Sequence, residues 1–162
     1  MKRLLLFMVN YCTSLKSGDK APDFSGKDQF GNLISLKSFK GKKLVIYFYP
    51  KDNTPACTVQ ACNLRDNYMS FKNQGFEIIG VSADDEKSHK KFSDKHQFPF
   101  SLMVDTDNTM IKAYDVWGQK KFMGKVYDGI NRTTFVIDEK GIIEQVILDV
   151  KTKSHSEQIL KK

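Results

Sequence analysis

Cysteine is scarce in this sequence, with only Cys12, Cys57 and Cys62 among 162 residues. Three is too few to staple a chain of this length, and an odd number cannot be fully paired, which argues against a secreted disulfide scaffold. A reducing, cytoplasmic setting follows, where retained cysteines tend to be chemical rather than structural. Arginine is equally scarce. The net charge is +7, yet the guanidinium groups are only Arg3, Arg65 and Arg132; the rest is lysine, in scattered pairs at 42–43, 90–91, 120–121 and 161–162. Base recognition leans on arginine forks and clustered basic stripes, so nucleic acid is not an expected partner and the charge reads as solvated surface. Long apolar runs are missing too: none approaches the roughly 20 residues that span a bilayer. No membrane association is expected.

What is present suits one globular domain. Hydrophobic residues make up 40% of the chain, enough to bury a sizeable core. Its 162 residues sit near the common domain size of about 100–150. Repeats, low-complexity stretches and linkers are lacking. Residues 1–14 read as an extension and 15–162 as the domain. Lys2, Arg3 and the apolar Leu4–Val9 look like the start of a secretory signal. That apolar core is short of the usual about 7–15 residues, and no Ala-x-Ala-like site follows. Export through residues 1–12 is therefore the alternative to a cytoplasmic location, and Cys12 receives no role.

From Gly18 onward, short β-rich runs alternate with amphipathic stretches. "FSGKDQFGNLISL" reads as two strands around a Gly31-Asn32 turn. "KLVIYFY" (43–49) and "FEIIGVS" (76–82) have the near-continuous β-branched and aromatic character of buried strands. Between them, Cys57, Ala61, Leu64, Tyr68 and Phe71 share one face of a helix over 57–73, stopped by Gly75. A charged helix at 86–96, a strand at 100–105 and a short helix at 108–116 follow. "RTTFVID" and "GIIEQVILDV" form strands around the Asp138–Gly141 turn, and a closing helix is expected with Ser154 as its cap. This order implies an α/β fold with a central mixed sheet flanked by helices and an N-terminal β-hairpin. The loop after a central strand, at the carboxyl end of the sheet, is where such folds place their chemistry.

That loop reads "YPKDNTPACTVQACNLRD" (49–66). Thr54-Pro55 signals a helix start, since threonine is a good N-cap and proline suits the first helical position. Cys57 then falls third in the helix, among N–H groups with no intrahelical partner. Those groups and the helix dipole stabilise an anion, and the thiolate is the nucleophilic form of cysteine. Cys62 lies five residues on. Across an intact helix that spacing is about 7.5 Å of rise and about 140° of rotation, putting the Cα atoms roughly 9 Å apart, beyond the about 7 Å limit for a disulfide. The two cannot bond while the helix is folded. Spacing alone leaves a redox couple and two packed cysteines both open. A zinc site finds little support, because His89, His96 and His155 lie far off without ligand spacing. The three histidines read as surface residues.

Here the sequence resembles a known family. "PKDNTPAC" fits the Pro-x-x-x-Thr-x-x-Cys motif of the peroxiredoxins through Pro50, Thr54 and Cys57. "CTVQACNLRD", "YDVWGQKKFMGKVYDGINRTTFVID" and "LKSGDKAPDFSGKDQFGNLISL" are similar to the bacterioferritin comigratory protein, or peroxiredoxin Q, branch. The resemblance spans about Leu15 to Leu160. It implies a thioredoxin-like fold, Cys57 as peroxidatic nucleophile, Cys62 as resolving cysteine, and Arg132 reaching the site from a separate strand. It further implies reduction of hydrogen peroxide and organic hydroperoxides through a Cys57 sulfenic acid and a Cys57–Cys62 disulfide. Thioredoxin would be the reductant, the protein a monomer, and no metal or other cofactor would be needed. A non-catalytic binding or chaperone-like module on the same fold is the alternative. Two positions depart from the branch: Gln60 stands where glutamate is usual, and Ala56 where glycine is usual. The first bears on how Arg132 is held, and the second on whether residue 56 must adopt a positive φ.

Overall fold

The computed structural model describes residues 12–160 of the chain. At its centre lies strand β3 (Lys43–Phe48). Side chains alternate across a strand, and here both faces are apolar. Leu44, Ile46 and Phe48 enter one core, while Val45, Tyr47 and the following Tyr49 enter the other. Each such side chain contributes about 1.5–3 kcal/mol by leaving water, which is why this run has no choice but the middle of the sheet.

Strand β4 (Phe76–Ser82) pairs parallel to β3, and β5 (Ser101–Val104) parallel to β4. On the other side β8 (Thr133–Ile137) pairs antiparallel to β3, and β9 (Ile143–Ile147) antiparallel to β8. The mixed sheet therefore runs β5-β4-β3-β8-β9. Helices α1 (Pro55–Asp66), α2 (Tyr68–Asn73), α3 (Glu86–His96) and α5 (His155–Ile159) supply Cys57, Ala61, Leu64, Phe71, Phe92 and Ile159 to the Val45 face. Helix α4 (Thr109–Ala113) and the segment carrying Ala21 and Phe24 cover the opposite face. The expected N-terminal hairpin is present as β1 (Ser25–Lys27) and β2 (Leu33–Ser35). Gly80 is required where it stands: a Cβ there would lie 2.6 Å from Cζ of Tyr47.

Four local expectations need correction. The helix read over 57–73 is two helices. Asn67 breaks it at φ −107° and ψ 11°, with its side-chain amide donating to the Asn63 carbonyl at 2.8 Å, the local competition with the helix that asparagine favours. The helix read over 108–116 is only Thr109–Ala113, its entry fixed by the Asp105 carboxylate accepting from the Met110 and Ile111 N–H groups. Ser154 precedes α5 but makes no side-chain cap bond; Ser156 and Asn63 tie that helix down instead. A further hairpin, β6 (Trp117–Phe122) and β7 (Lys125–Ile130), has no counterpart in the expected elements. Its two turn residues, Met123 and Gly124, both have positive φ, 50° and 79°, as the tight two-residue hairpin turn demands.

Candidate active site

The site forms where β3 ends. Pro50 is half-buried there, the loop 51–54 turns, and Pro55 opens α1 with Thr54 at the N-cap position. Antiparallel pairing sets Thr133 opposite Phe48, so the residue just before β8, Arg132, arrives beside the same loop. Two distant segments are thus brought together by register.

Cys57 is the third residue of α1 and only 2% exposed. Arg132 Nη2 donates to its sulfur at 3.3 Å, and Nη1 donates to Gln60 Oε1 at 2.6 Å. Gln60 is fully buried one helical turn from Cys57, so the carboxamide keeps the guanidinium in place without adding a negative charge. Ala56 is helical and is not among the positive-φ residues, which makes its side chain acceptable there. Thr54 differs from expectation. Its hydroxyl donates to the Lys51 carbonyl at 3.0 Å rather than capping the helix, while its own carbonyl accepts from the Thr58 N–H at 2.9 Å. Cys62 lies further along α1, partly buried, and both thiols are free.

Sequence reasoning missed several neighbours. Burial pushes the Tyr47 phenol well above its ordinary range, and Cys57 adds to the rise. Lys120, from the unforeseen hairpin, donates to the Ile130 carbonyl at 2.7 Å. Burial lowers its ammonium from the ordinary value, and nearby Arg132 lowers it further. The histidines are corrected too. His89 and His155 are fully buried, and His96 partly. His155 meets Thr134 Oγ1 and Gln158 Oε1, each at 2.8 Å. His89 Nε2 faces the Met103 carbonyl at 2.8 Å and Nδ1 faces Asp52 Oδ2 at 2.7 Å. A carbonyl only accepts, so Nε2 carries a proton, and a second proton lies between Nδ1 and the carboxylate. Asp52 also accepts from Tyr49 and Ser88 hydroxyls, and its N–H donates to Asp84. This buried network pins the loop between Pro50 and Thr54. Asp52, Asp84 and His89 are close enough to suggest metal ligands, but Asp52 is taken up by Tyr49, Ser88 and His89, and Asp84 by Ser82 and the Asp52 N–H, so the group does not fit a cation.

A buried cysteine at a helix start, held by a guanidinium from an adjacent strand, is the decisive geometry, and the comparisons agree with it. Residues 17–146 match the model of the AhpC/TSA family. The chain belongs to the AhpC/TSA family of peroxiredoxins. It is 46% identical over 146 residues to peroxiredoxin Bcp of Escherichia coli K12, covering 90% of this chain and 94% of that one. Against peroxiredoxin Bcp of Bacillus subtilis 168 the identity is 45% over 147 residues, 91% and 94% of the two chains. Among solved structures, peroxiredoxin Q of Xanthomonas campestris superposes with a TM-score of 0.79 at 36% identity, covering 84% and 86%. Peroxiredoxin Q of Xylella fastidiosa gives 0.85 at 30% identity, covering 91% and 94%. The thioredoxin-like fold and the peroxidase class of this peroxiredoxin are thereby established: it is a thiol peroxidase of the Bcp, or peroxiredoxin Q, branch. Among the described residues, no helix is long and apolar enough to cross a membrane.

Proposed function

We propose that this peroxiredoxin works through Cys57 as peroxidatic nucleophile and Cys62 as resolving cysteine, with thioredoxin as reductant. The observation that carries the reading is the 3.3 Å contact between Arg132 Nη2 and Cys57 Sγ. A fixed guanidinium favours the thiolate and offers charge-assisted hydrogen bonds to peroxide oxygens. The thiolate attacks the terminal oxygen of a hydroperoxide and the O–O bond breaks. Hydroxyl passes to sulfur as Cys57 sulfenic acid, and the departing alkoxide or hydroxide takes a proton to leave as alcohol or water.

Arg132 and the unpaired N–H groups of the first turn of α1 stabilise charge building on the two oxygens. Because Thr54 donates to Lys51, its free lone pairs suit it to accept the hydroperoxide's O–H, a role as acceptor rather than donor. Pro50, with no N–H and a fixed φ, shapes one wall and offers water no donor there. The front of α1 then unwinds, Cys62 attacks the sulfenic sulfur, and a Cys57–Cys62 disulfide forms with loss of water. Thioredoxin's two thiols return it to the dithiol state. A Xanthomonas campestris relative is described by its alkyl peroxide reduction activity, which supports organic hydroperoxides beside hydrogen peroxide as substrates here. We further propose a monomer acting in the cytoplasm, a reading that rests on the branch resemblance and on the small, odd cysteine count of the sequence.

The test is a coupled assay with thioredoxin and its reductase. Cys57→Ser should abolish peroxide consumption, and retained activity would sink the assignment. Mass analysis after one equivalent of peroxide should find Cys57 bonded to Cys62.

A further inference from the structure

His96 has no part in the chemistry above, yet it sits on the second cysteine. Its Nδ1 lies 3.8 Å from Cys62 Sγ, within reach for a hydrogen bond to sulfur. The ring packs between Phe92, edge-on at 5.5 Å, and Phe98, stacked at 5.5 Å. Its other nitrogen is buried without a partner among the described residues. Among the described residues, the sulfur is thus the single polar contact of this imidazole.

The contact is also built to outlast the unwinding of α1. The back of that helix is fastened at several points. Asn63 donates to the Lys153 carbonyl at 3.0 Å and accepts from the Ser156 N–H at 2.8 Å, and Leu64 is fully buried. Arg65 Nη1 donates to the carbonyl of His96 itself at 2.8 Å, tying the end of α3 to the turn that carries Cys62. The front of α1 has no side-chain cap. An opening that starts at Pro55 and releases the Arg132 contacts would bring Cys57 to a Cys62 still held beside His96.

We infer that His96 is the general base of the resolving step, taking the Cys62 thiol proton as that sulfur attacks the Cys57 sulfenic acid. The inference rests on Cys62 being the resolving cysteine. In the step, the Cys62 S–H bond breaks and its proton passes to Nδ1. The sulfur lone pair forms the S–S bond while the Cys57 S–O bond breaks. Hydroxide leaves and takes the proton from His96 as water. Cys62 sulfur is oxidised, Cys57 sulfur is reduced, and no outside reactant is consumed. The groups facing the ring are Cys62 and Arg65 from α1, with Arg65 paired to Asp66, and Lys95 from its own helix. Burial and those two cations lower the imidazole from its ordinary value, which keeps it neutral, the form that accepts a proton, at physiological pH.

The experiment follows both thiols by rapid quench, alkylation and mass analysis in wild type, His96→Phe and His96→Gln. Phenylalanine preserves the aromatic packing without a base, and glutamine places a polar but non-basic group there. An unassisted thiol, with a pKa of about 8.5, is only about 3% thiolate at pH 7, so a base gains at most about 30-fold. Both variants should lose the Cys57 thiol at the wild-type rate, which also shows that they are folded. Disulfide formation at pH 7 should fall about tenfold or more and converge on wild type above about pH 9. An unchanged rate at pH 7 overturns the inference, as does a deficit that persists at high pH or an equal slowing of both phases. If wild type accumulates a sulfenate with Cys62 still free, the resolving assignment itself falls, and His96 with it.

Discussion

Replacing Arg132 by methionine tests the site and its packing together. The guanidinium makes two hydrogen bonds, to Cys57 Sγ at 3.3 Å and to Gln60 Oε1 at 2.6 Å. A hydrogen bond involving a charged group is worth about 1.5–3 kcal/mol, and losing a donor that meets developing oxygen charge costs about 10²–10³-fold in rate. We expect kcat/KM for hydroperoxide to fall about 10²–10³-fold at pH 7. Stability should drop as well. Gln60 is fully buried and its Nε2 already lacks a partner among the described residues. Methionine strips its Oε1 too, at about 1–3 kcal/mol for the orphaned acceptor. For a chain of this size that is about 2–4 °C in Tm per kcal/mol. A second change, Gln60→Leu, should recover most of the lost Tm and none of the lost rate, because it removes the stranded amide without restoring the cation. Stopped-flow peroxide consumption and thermal melts of the single and double variants supply the data. A rate within threefold of wild type for Arg132→Met would refute the site reading. A double variant no more stable than the single one would refute the packing argument.

Other parts of the structure make separate predictions. Asp52→Ala removes the acceptor shared by Tyr49, Ser88 and His89 and should cost about 3–5 kcal/mol, as breaking a buried pair does; urea unfolding measures it, and a loss under 1 kcal/mol contradicts the network. Gly80→Ala drives a Cβ to 2.6 Å from the Tyr47 ring and should destabilise by about 1–3 kcal/mol, read from the same unfolding curves. Stability should also fall on acidification. Burial holds the His155 imidazole below its ordinary value, with the nearby Arg132 charge acting the same way and the Gln158 hydrogen bond opposing both. The unfolded chain therefore binds a proton that the folded one resists. That contribution is complete above the unfolded value of about 6.5 and is lost as pH falls below it, with a slope of at most about 1.4 kcal/mol per pH unit for one proton. His155→Gln should flatten the dependence between pH 7.5 and 5.5, and an unaltered slope would contradict the assignment.

Much of this was legible because the strongest signals are local. The run at 43–49 is apolar on both faces and admits only a central strand. Thr54-Pro55 marks the helix start, and Cys57 sits third in that helix. Arg132 became visible through family resemblance, but its arrival at Cys57 depends on β8 pairing antiparallel to β3, which no local pattern encodes. The hairpin at 117–130 escaped notice because lysines at 120, 121 and 125 interrupt the apolar alternation, and Met-Gly is an unusual substitute for Asn-Gly at its turn. His89 and His155 were misjudged for a related reason. A histidine's burial is decided by distant acceptors such as the Met103 carbonyl and Thr134, not by its sequence neighbours. Thr54 was given the right place and the wrong hydrogen bond, since the Lys51 carbonyl competes successfully for its hydroxyl.

The break at Asn67 has a mechanical meaning. Because α1 ends there, opening its front turn cannot run on into α2, whose Phe71 holds the core. In the proposed cycle the unwinding segment runs from Pro55 to just before Cys62, about one and a half turns. Backbone hydrogen bonds in such a segment are worth about 0.5–1.5 kcal/mol net each, while every residue released regains about 1–2 kcal/mol of backbone entropy. The two nearly cancel. With the helix itself so nearly neutral, what resists the proposed opening is side-chain packing: the burial of Cys57 and Gln60 and their two contacts with Arg132.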